Sequence, residues 1–295
     1  MFGQYFGRYL VENNKISQAE LDKIMMDFEN KPVKLGDIAV AEKLLTTKQA
    51  DDINELQKKM DMRFGDIAIE KGYLLAEEVT YLLNMQGNPY IKFVQAVTDH
   101  NILTLEQIEV CLEEYKADND LSDCDIDALK SGDIDRIIPI FVDTDIPYTG
   151  DCIGLAIRNI IRFINSSIVL KKSYKTKEYS FGNLAFQQMV GDQQFFVGFA
   201  AKGKELLHIA EPFAKENFTE MDEDAFDSVC EFINCTNGLY ASKLSMEDIH
   251  IDMTPPFFVI NQKLISDGDI YVLPILINGE QVDLLVAVNN PVRIN

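Results

Sequence analysis

The stretch FGDIAIEKGYLLAEEVTYLLNMQ, residues 64–86, decides the architecture of the first third of the chain. Phe64, Ile67 and Ala68 fall on one side of a short helix, Gly72 marks a turn, and LLAEEVTYLLNMQ returns to apolar helical spacing. The pattern recurs: FGRYLVENNKISQAELDKIMMDF opens at Phe6, LGDIAVAEKLLTTKQADDINELQ at Leu35 and FVQAVTDHNILTLEQIEVCLEEY at Phe93, a strict period of 29 residues. Ile16, Leu45, Leu74 and Leu103 share one apolar slot, and Leu21, Ala50, Val79 and Ile108 share another. Stacked helix–turn–helix units that bury a core only together carry this signature. Four units predict an all-helical repeat domain over residues 1–121.

The remaining length allows a second domain. Hydrophobic residues make up 47% of the 295, which requires a folded core, and the net charge is −21. A surface this acidic repels phosphate backbones and anionic lipid, so no nucleic acid is expected as a partner. No run approaches the ~20 apolar residues of a membrane span, and MFGQYFGRYLVENNKIS has no basic stretch followed by an apolar run. The expectation is a cytoplasmic protein without membrane insertion. Cys111, Cys124, Cys152, Cys230 and Cys235 lack metal-ligand spacing, and His100, His208 and His250 stand singly, so no metal site is expected and the thiols are read as free.

Residues 122–147 read as an acidic linker, with a short helix near IDALKSG and an extended piece at RIIPIFV. Asp123, Asp125 and Asp127 suggest a calcium loop, but Ala128 and Ile134 stand where such a loop needs Gly and Glu.

Over residues 148–295 the pattern changes. GDCIGLAIRNIIRFIN is helical, with Ile153, Ile157, Ile160, Ile161 and Ile164 on one side. SFGNLAFQQMV and QQFFVGFAA read as strands about a GD hairpin, followed by helices GKELLHIAEPFAKEN and DEDAFDSVCEFINCTNGLYASKLS. IHIDMTPPFFV, DIYVLPILING and QVDLLVAVNN complete the strands. This order predicts an α+β fold in which helices cover an antiparallel sheet, behind the helical repeats.

Within the longer helix, Asp227, Glu231, Asn234 and Gly238 lie on one narrow line, while Phe226, Val229, Cys230 and Ile233 take the neighbouring face toward the core. Gly238 leaves room for another backbone. By pattern alone such a stripe is a solvated helix face. No Ser/His/Asp frame or phosphate-cradling glycine loop accompanies it. His208 reads as a core or edge histidine, and Cys230 as a buried thiol.

Two resemblances bear on these segments. Lys34-Leu35-Gly36 through Gln57, the spacer KKMDM, and Arg63-Phe64-Gly65 through Gln86 form two 24-residue blocks five residues apart. This frame resembles the MshEN repeats of type II secretion and pilus ATPases, some of which bind cyclic di-GMP through blocks opening Arg-Leu-Gly and closing on Gln. The resemblance implies cyclic di-GMP as a ligand of these eight residues. Departures are Lys34 for Arg, Ala39 and Ala68 for leucine, and Asn54 in an apolar slot; Phe28 and Tyr115 replace the glutamine in the outer units. A scaffold without the ligand is the other reading.

The line Asp227-x3-Glu231-x2-Asn234, followed after 21 residues by Pro256, resembles the Asp/Ser-x3-Glu-x2-Asn-x22-Pro motif of the CheC/CheX/FliY chemotaxis phosphatases. The first helix, CIGLAIRNIIRFIN, holds no glutamate, so the single signature resembles CheX, whose members typically pair as homodimers. The resemblance implies an aspartyl-phosphate phosphatase acting on a CheY-like receiver that carries its own magnesium. Asn234 would hold the attacking water, Glu231 would pair with a receiver lysine, and Asp227, Gly238 and Pro256 would support docking. The alternative is a non-catalytic signalling adaptor, or a cyclic di-GMP-responsive binding protein, using the same folds.

Overall fold

The computed structural model describes residues 2–30, 34–57, 63–85 and 88–295. By its contacts the chain divides into two compact units, Met1–Gly132 and Asp133–Asn295.

In the first unit the helices are α1 (Phe2–Glu12), α2 (Gln18–Asn30), α3 (Leu35–Ala41), α4 (Thr47–Gln57), α5 (Phe64–Glu70), α6 (Ala76–Met85), α7 (Pro89–Asp99), α8 (Leu105–Asp118) and α9 (Asp123–Ser131). The 29-residue period reappears in the backbone itself. Asn14, Lys43, Gly72 and Asn101 occupy the same slot of successive units and all have positive φ, between 52° and 67°. Each turns the chain out of a short helix. Three residues later the second helix starts with a capping exchange: Ser17 with Glu20, Thr46 with Gln49, and Thr104 with Gln107, in each of which the longer side chain accepts from the cap N–H. In the third unit Leu75 has no hydroxyl, and only the Glu78 half of the exchange remains. The slots named above fill the core: Ile16, Leu45, Leu74, Leu21, Ala50 and Ile108 are buried.

The second unit holds α10 (Ile134–Phe141), α11 (Thr149–Phe163), α12 (Leu207–Ala214) and α13 (Glu223–Ser245). Its strands are β1 (Val169–Leu170), β2 (Tyr174–Ser180), β3 (Asn183–Gly191), β4 (Phe195–Ala201), β5 (Ile251–Met253), β6 (Phe257–Ile260), β7 (Lys263–Ile277), β8 (Glu280–Val288) and β9 (Val292–Ile294). They form one antiparallel sheet in the order β1-β7-β8-β4-β3-β5, with β6 also on β3, and β2 and β9 also on β7. The turn between β7 and β8 is Asn278-Gly279, both at positive φ. The fold is α+β, as the element order predicts.

Two local expectations are corrected. RIIPIFV is not extended: Ile134–Phe141 is helical, despite Pro139, because Ile137, Ile138 and Ile140 bury together on one side. The stretch 122–147 is also not simply a solvated connector, since α9 buries Ile126, Ala128 and Leu129 within the first unit and α10 packs on α11 within the second. RIIPIFV is a short continuous apolar run, and periodicity alone does not assign such a run to strand or helix. The polar strand β2, YKTKEYS, went unread for a related reason. It lies along β7 with mostly exposed side chains, and such strands carry no hydrophobic alternation.

The core of the second unit lies between the sheet and the helices. Ile153, Ile157 and Ile160 of α11 and Phe226, Val229, Phe232 and Ile233 of α13 are fully or almost fully buried. Each contributes about 1.5–3 kcal/mol of transfer free energy. Asn159 Nδ2 donates to Thr236 Oγ1 at 3.1 Å, so the buried polar pair between α11 and α13 satisfies itself. On the other sheet face Leu184, Phe186, Phe196, Val272 and Leu285 pack under Tyr179, Val259, Val292 and Ile294.

Candidate functional site

Helix α13 starts at Asp222, whose side chain accepts from Ala225 N–H at 3.0 Å. Asp222 is thus the helix cap, and Asp227 lies within the helix and is exposed. Glu231 is exposed, Asn234 and Gly238 are half-buried, and the helix buries Phe226, Val229, Cys230 and Ile233 on the adjoining face. The stripe thus runs along the border between the solvated face and the sheet. Around it the helix also exposes Cys235 and Leu239.

Pro256 lies in a break in the sheet between β5 and β6. Strand β3 pairs Met189 with Met253 of β5 and Phe186 with Phe257 of β6. Two residues of β3, Gln187 and Gln188, therefore face three, Thr254, Pro255 and Pro256, which is a bulge of one residue. Neither proline has an N–H to leave unpaired at the irregularity. Thr254 holds the bulge in place: its N–H and its hydroxyl both donate to Gln188 O at 3.0 Å. Phe257, directly after Pro256, is well exposed.

One residue that the sequence reading passed over organises the site. Gln187, 1% exposed, points from β3 toward α13. Its Nε2 donates to Asn234 Oδ1 at 2.8 Å and to the Thr254 carbonyl at 2.8 Å, and its Oε1 accepts from Asn237 Nδ2 at 2.9 Å. Asn234 Nδ2 has no hydrogen-bond partner among the described residues. The sequence signal was a glutamine at a helix-facing position of β3, where its alternate neighbours Ala185 and Met189 are buried apolar residues.

The remaining predicted residues behave differently. Gly238 is not needed for a close backbone approach within the fold, because a Cβ there would meet only the end of the Met253 side chain at 3.7 Å. Cys235 Sγ lies 3.7 Å from Glu231 Oε1, and partial burial, with the Glu231 charge beside it, holds its thiol above the ordinary value. Cys230 is 6% exposed and burial pushes its thiol up to about 11. His208 is half-buried on α12, with Nε2 3.1 Å from Oε2 of Glu280 at the start of β8. Among the described residues no group of three or more His, Cys, Asp or Glu side chains could hold a metal ion. No helix of the described residues is long and apolar enough to cross a membrane.

In the first unit, Lys34 and Arg63 are the exposed N-caps of α3 and α5. Lys34 Nζ lies 3.4 Å from Asp99 Oδ1, and Lys34 N–H donates to Gln95 Oε1 at 2.9 Å. Leu35 is half-buried, Gln57 is exposed, and Gln86 lies outside the described residues. Phe64, Gly36 and Gly65 are buried. A Cβ on Gly36 would lie 2.9 Å from the Phe64 ring, and one on Gly65 2.7 Å from Val79 Cγ1. Both glycines are thus explained by helix packing within the repeats.

No curated protein matches the chain. Solved structures similar to it include a CheC-like superfamily protein from Shewanella sp. PV-4, 18% identical over 49% of this chain and 99% of that one, with a TM-score of 0.43. A chemotaxis protein CheX from Desulfovibrio desulfuricans is 10% identical over 48% and 99%, at 0.43. The CheX–CheY–BeF3–Mg2+ complex from Borrelia burgdorferi matches at 16% over 49% and 99%, at 0.40. Residues 184–276, which contain the α13 stripe, the Thr254–Pro256 bulge and Gln187, match the family described as chemotaxis phosphatase CheX, so this segment of the chain carries a CheX domain.

Proposed function

We propose that the chain is a CheX-like phosphatase that removes the phosphoryl group from the aspartyl phosphate of a CheY-like receiver. The observation that supports this most strongly is the state of Asn234. Its carbonyl is taken by Gln187, its amide hydrogens have no partner among the described residues, and Glu231 stands one turn away on the same exposed border. A receiver phosphate needs a positioned in-line water more than it needs new chemical groups. Asn234 supplies a fixed polar group for that water. Glu231 supplies a carboxylate for a cation on the receiver, and Asp227, Pro256 and the small Gly238 border the docking face. Magnesium belongs to the receiver in this reading, and the domain works as a homodimer. The MshEN-like repeats modulate or localise the activity, with cyclic di-GMP as their ligand.

The test follows phosphate loss from a phosphorylated receiver of the same organism, with and without the protein. The wild type should accelerate it, and Asn234→Ala should lose about 100-fold, the scale of a misplaced reacting group. Absence of acceleration across that organism's receivers would leave the α13 stripe as a docking face of a non-catalytic adaptor.

A further inference from the structure

We infer that Gln187 is a positioning residue that commits Asn234 to act on the receiver as a hydrogen-bond donor. This rests on the phosphatase reading above and adds a residue and a polarity to it.

The polarity follows from one main-chain atom. The Thr254 carbonyl can only accept, so the end of the Gln187 side chain that meets it at 2.8 Å must be the NH2 group. That choice fixes the rest of the network. Gln187 Oε1 then faces Asn237, which must present its own NH2, as it does at 2.9 Å. The second Gln187 amide hydrogen faces Asn234, which must present its carbonyl, as it does at 2.8 Å. Reversing the Asn234 amide would set two NH2 groups against each other beside a side chain that is 1% exposed. The Asn234 Nδ2 is therefore left without a partner among the described residues, at the half-buried border of α13.

A donor in that place has a definite use. In hydrolysis the water oxygen forms a bond to phosphorus, the bond from phosphorus to the aspartyl oxygen breaks, and its electron pair returns to the carboxylate. The water protons leave with the inorganic phosphate. One lone pair of the water must reach phosphorus, and the other can accept from Asn234 Nδ2. The donor then aims the nucleophile without competing for the reacting pair. The anchor also removes rotameric freedom from Asn234 before docking, which lowers the entropic cost of the aligned state.

The experiment is a double-mutant cycle in the full chain, combining Gln187→Glu with Asn234→Ala and measuring kcat and KM for receiver dephosphorylation. Glutamate keeps the shape and removes both donors. Gln187→Glu alone should lower kcat at least tenfold with KM within about twofold, and should change nothing further in the Asn234→Ala background. Equal losses in both backgrounds, or an unchanged kcat in an active wild type, would overturn the inference and leave the phosphatase reading intact. A second measurement needs neither activity nor a stable variant at position 187. Side-chain amide spectra of the wild type should show the Gln187 NH2 protected from solvent exchange and the Asn234 NH2, assigned through Asn234→Ala, exchanging fast. The reverse pattern would overturn the geometry. A wild type that speeds no receiver would remove the phosphatase reading, and with it the donor's use, while the exchange result would still decide the orientation.

Discussion

The Cβ that Gly65 lacks would lie 2.7 Å from Val79 Cγ1, and Val79 stands 14 residues later in the same repeat. The same offset relates Gly7 to Leu21, whose Cδ1 would be 2.5 Å away, and Gly36 to Ala50, at 3.7 Å. In the first three units the repeated glycine therefore serves the crossing of the short helix over its longer partner, while Val94 takes the slot in the fourth. A side chain at position 65 would have to displace a branched residue in the core.

This predicts the behaviour of Gly65→Ala. Alanine gains about 1 kcal/mol of helix propensity over glycine, and overpacking costs about 1–3 kcal/mol. The substitution should destabilise the first unit by about 1 kcal/mol in urea unfolding. Adding Val79→Ala should recover part of that loss, giving a coupling energy of opposite sign. Strictly additive effects would mean that the two positions do not touch.

Glu231 and Cys235 report on the exposed line of α13. The Glu231 carboxylate opposes thiolate formation at Cys235, second to burial. Glu231→Gln should therefore lower the Cys235 pKa and speed its alkylation by iodoacetamide at neutral pH, read by peptide mass spectrometry. Cys230, raised further and buried, should stay slow in both proteins. An unchanged Cys235 rate would separate the two side chains.

Asp37 offers a dependence on pH. Burial lifts its carboxyl above the ordinary carboxylate value, with Lys34 partly offsetting the rise. The folded state then binds this proton more tightly than the unfolded one, so folding is penalised where Asp37 is ionised and the penalty fades as pH falls through the folded value. Asp37→Asn should accordingly be more stable than the wild type at neutral pH, with the gain shrinking in acid. A gain that is constant with pH would assign the effect to packing instead.

Arg63 is exposed at the N-cap of α5, whereas Lys34 already meets Asp99 and Gln95. If the repeats take cyclic di-GMP, calorimetric titration of the full chain should give a saturable heat, and Arg63→Ala should weaken binding at least tenfold through loss of a bidentate contact. No heat at high micromolar ligand would remove the sensor reading.

The legible parts of the fold were those with a local period. The 29-residue repeat, the buried face of α11 and the apolar runs of β3 and β4 about their hairpin each follow from contacts between near neighbours in sequence, so a window of residues contains their cause. The line through Asp227, Glu231, Asn234 and Gly238 was legible for the same reason: helical geometry alone brings those positions together.

Tertiary structure decided the rest. Gln187 and Asn234 are 47 residues apart, and only the packing of α13 on β3 makes one orient the other. The Thr254–Pro256 bulge exists because β5 and β6 pair with one strand in registers that differ by a residue. Strand β2 is held by β7 and not by its own composition, and α10 is a helix because its isoleucines find a shared core. By itself the sequence determined which residues could share a face. Long-range pairing determined which of them are held still, since an amide gains a fixed direction only when a buried partner from another element satisfies one end of it.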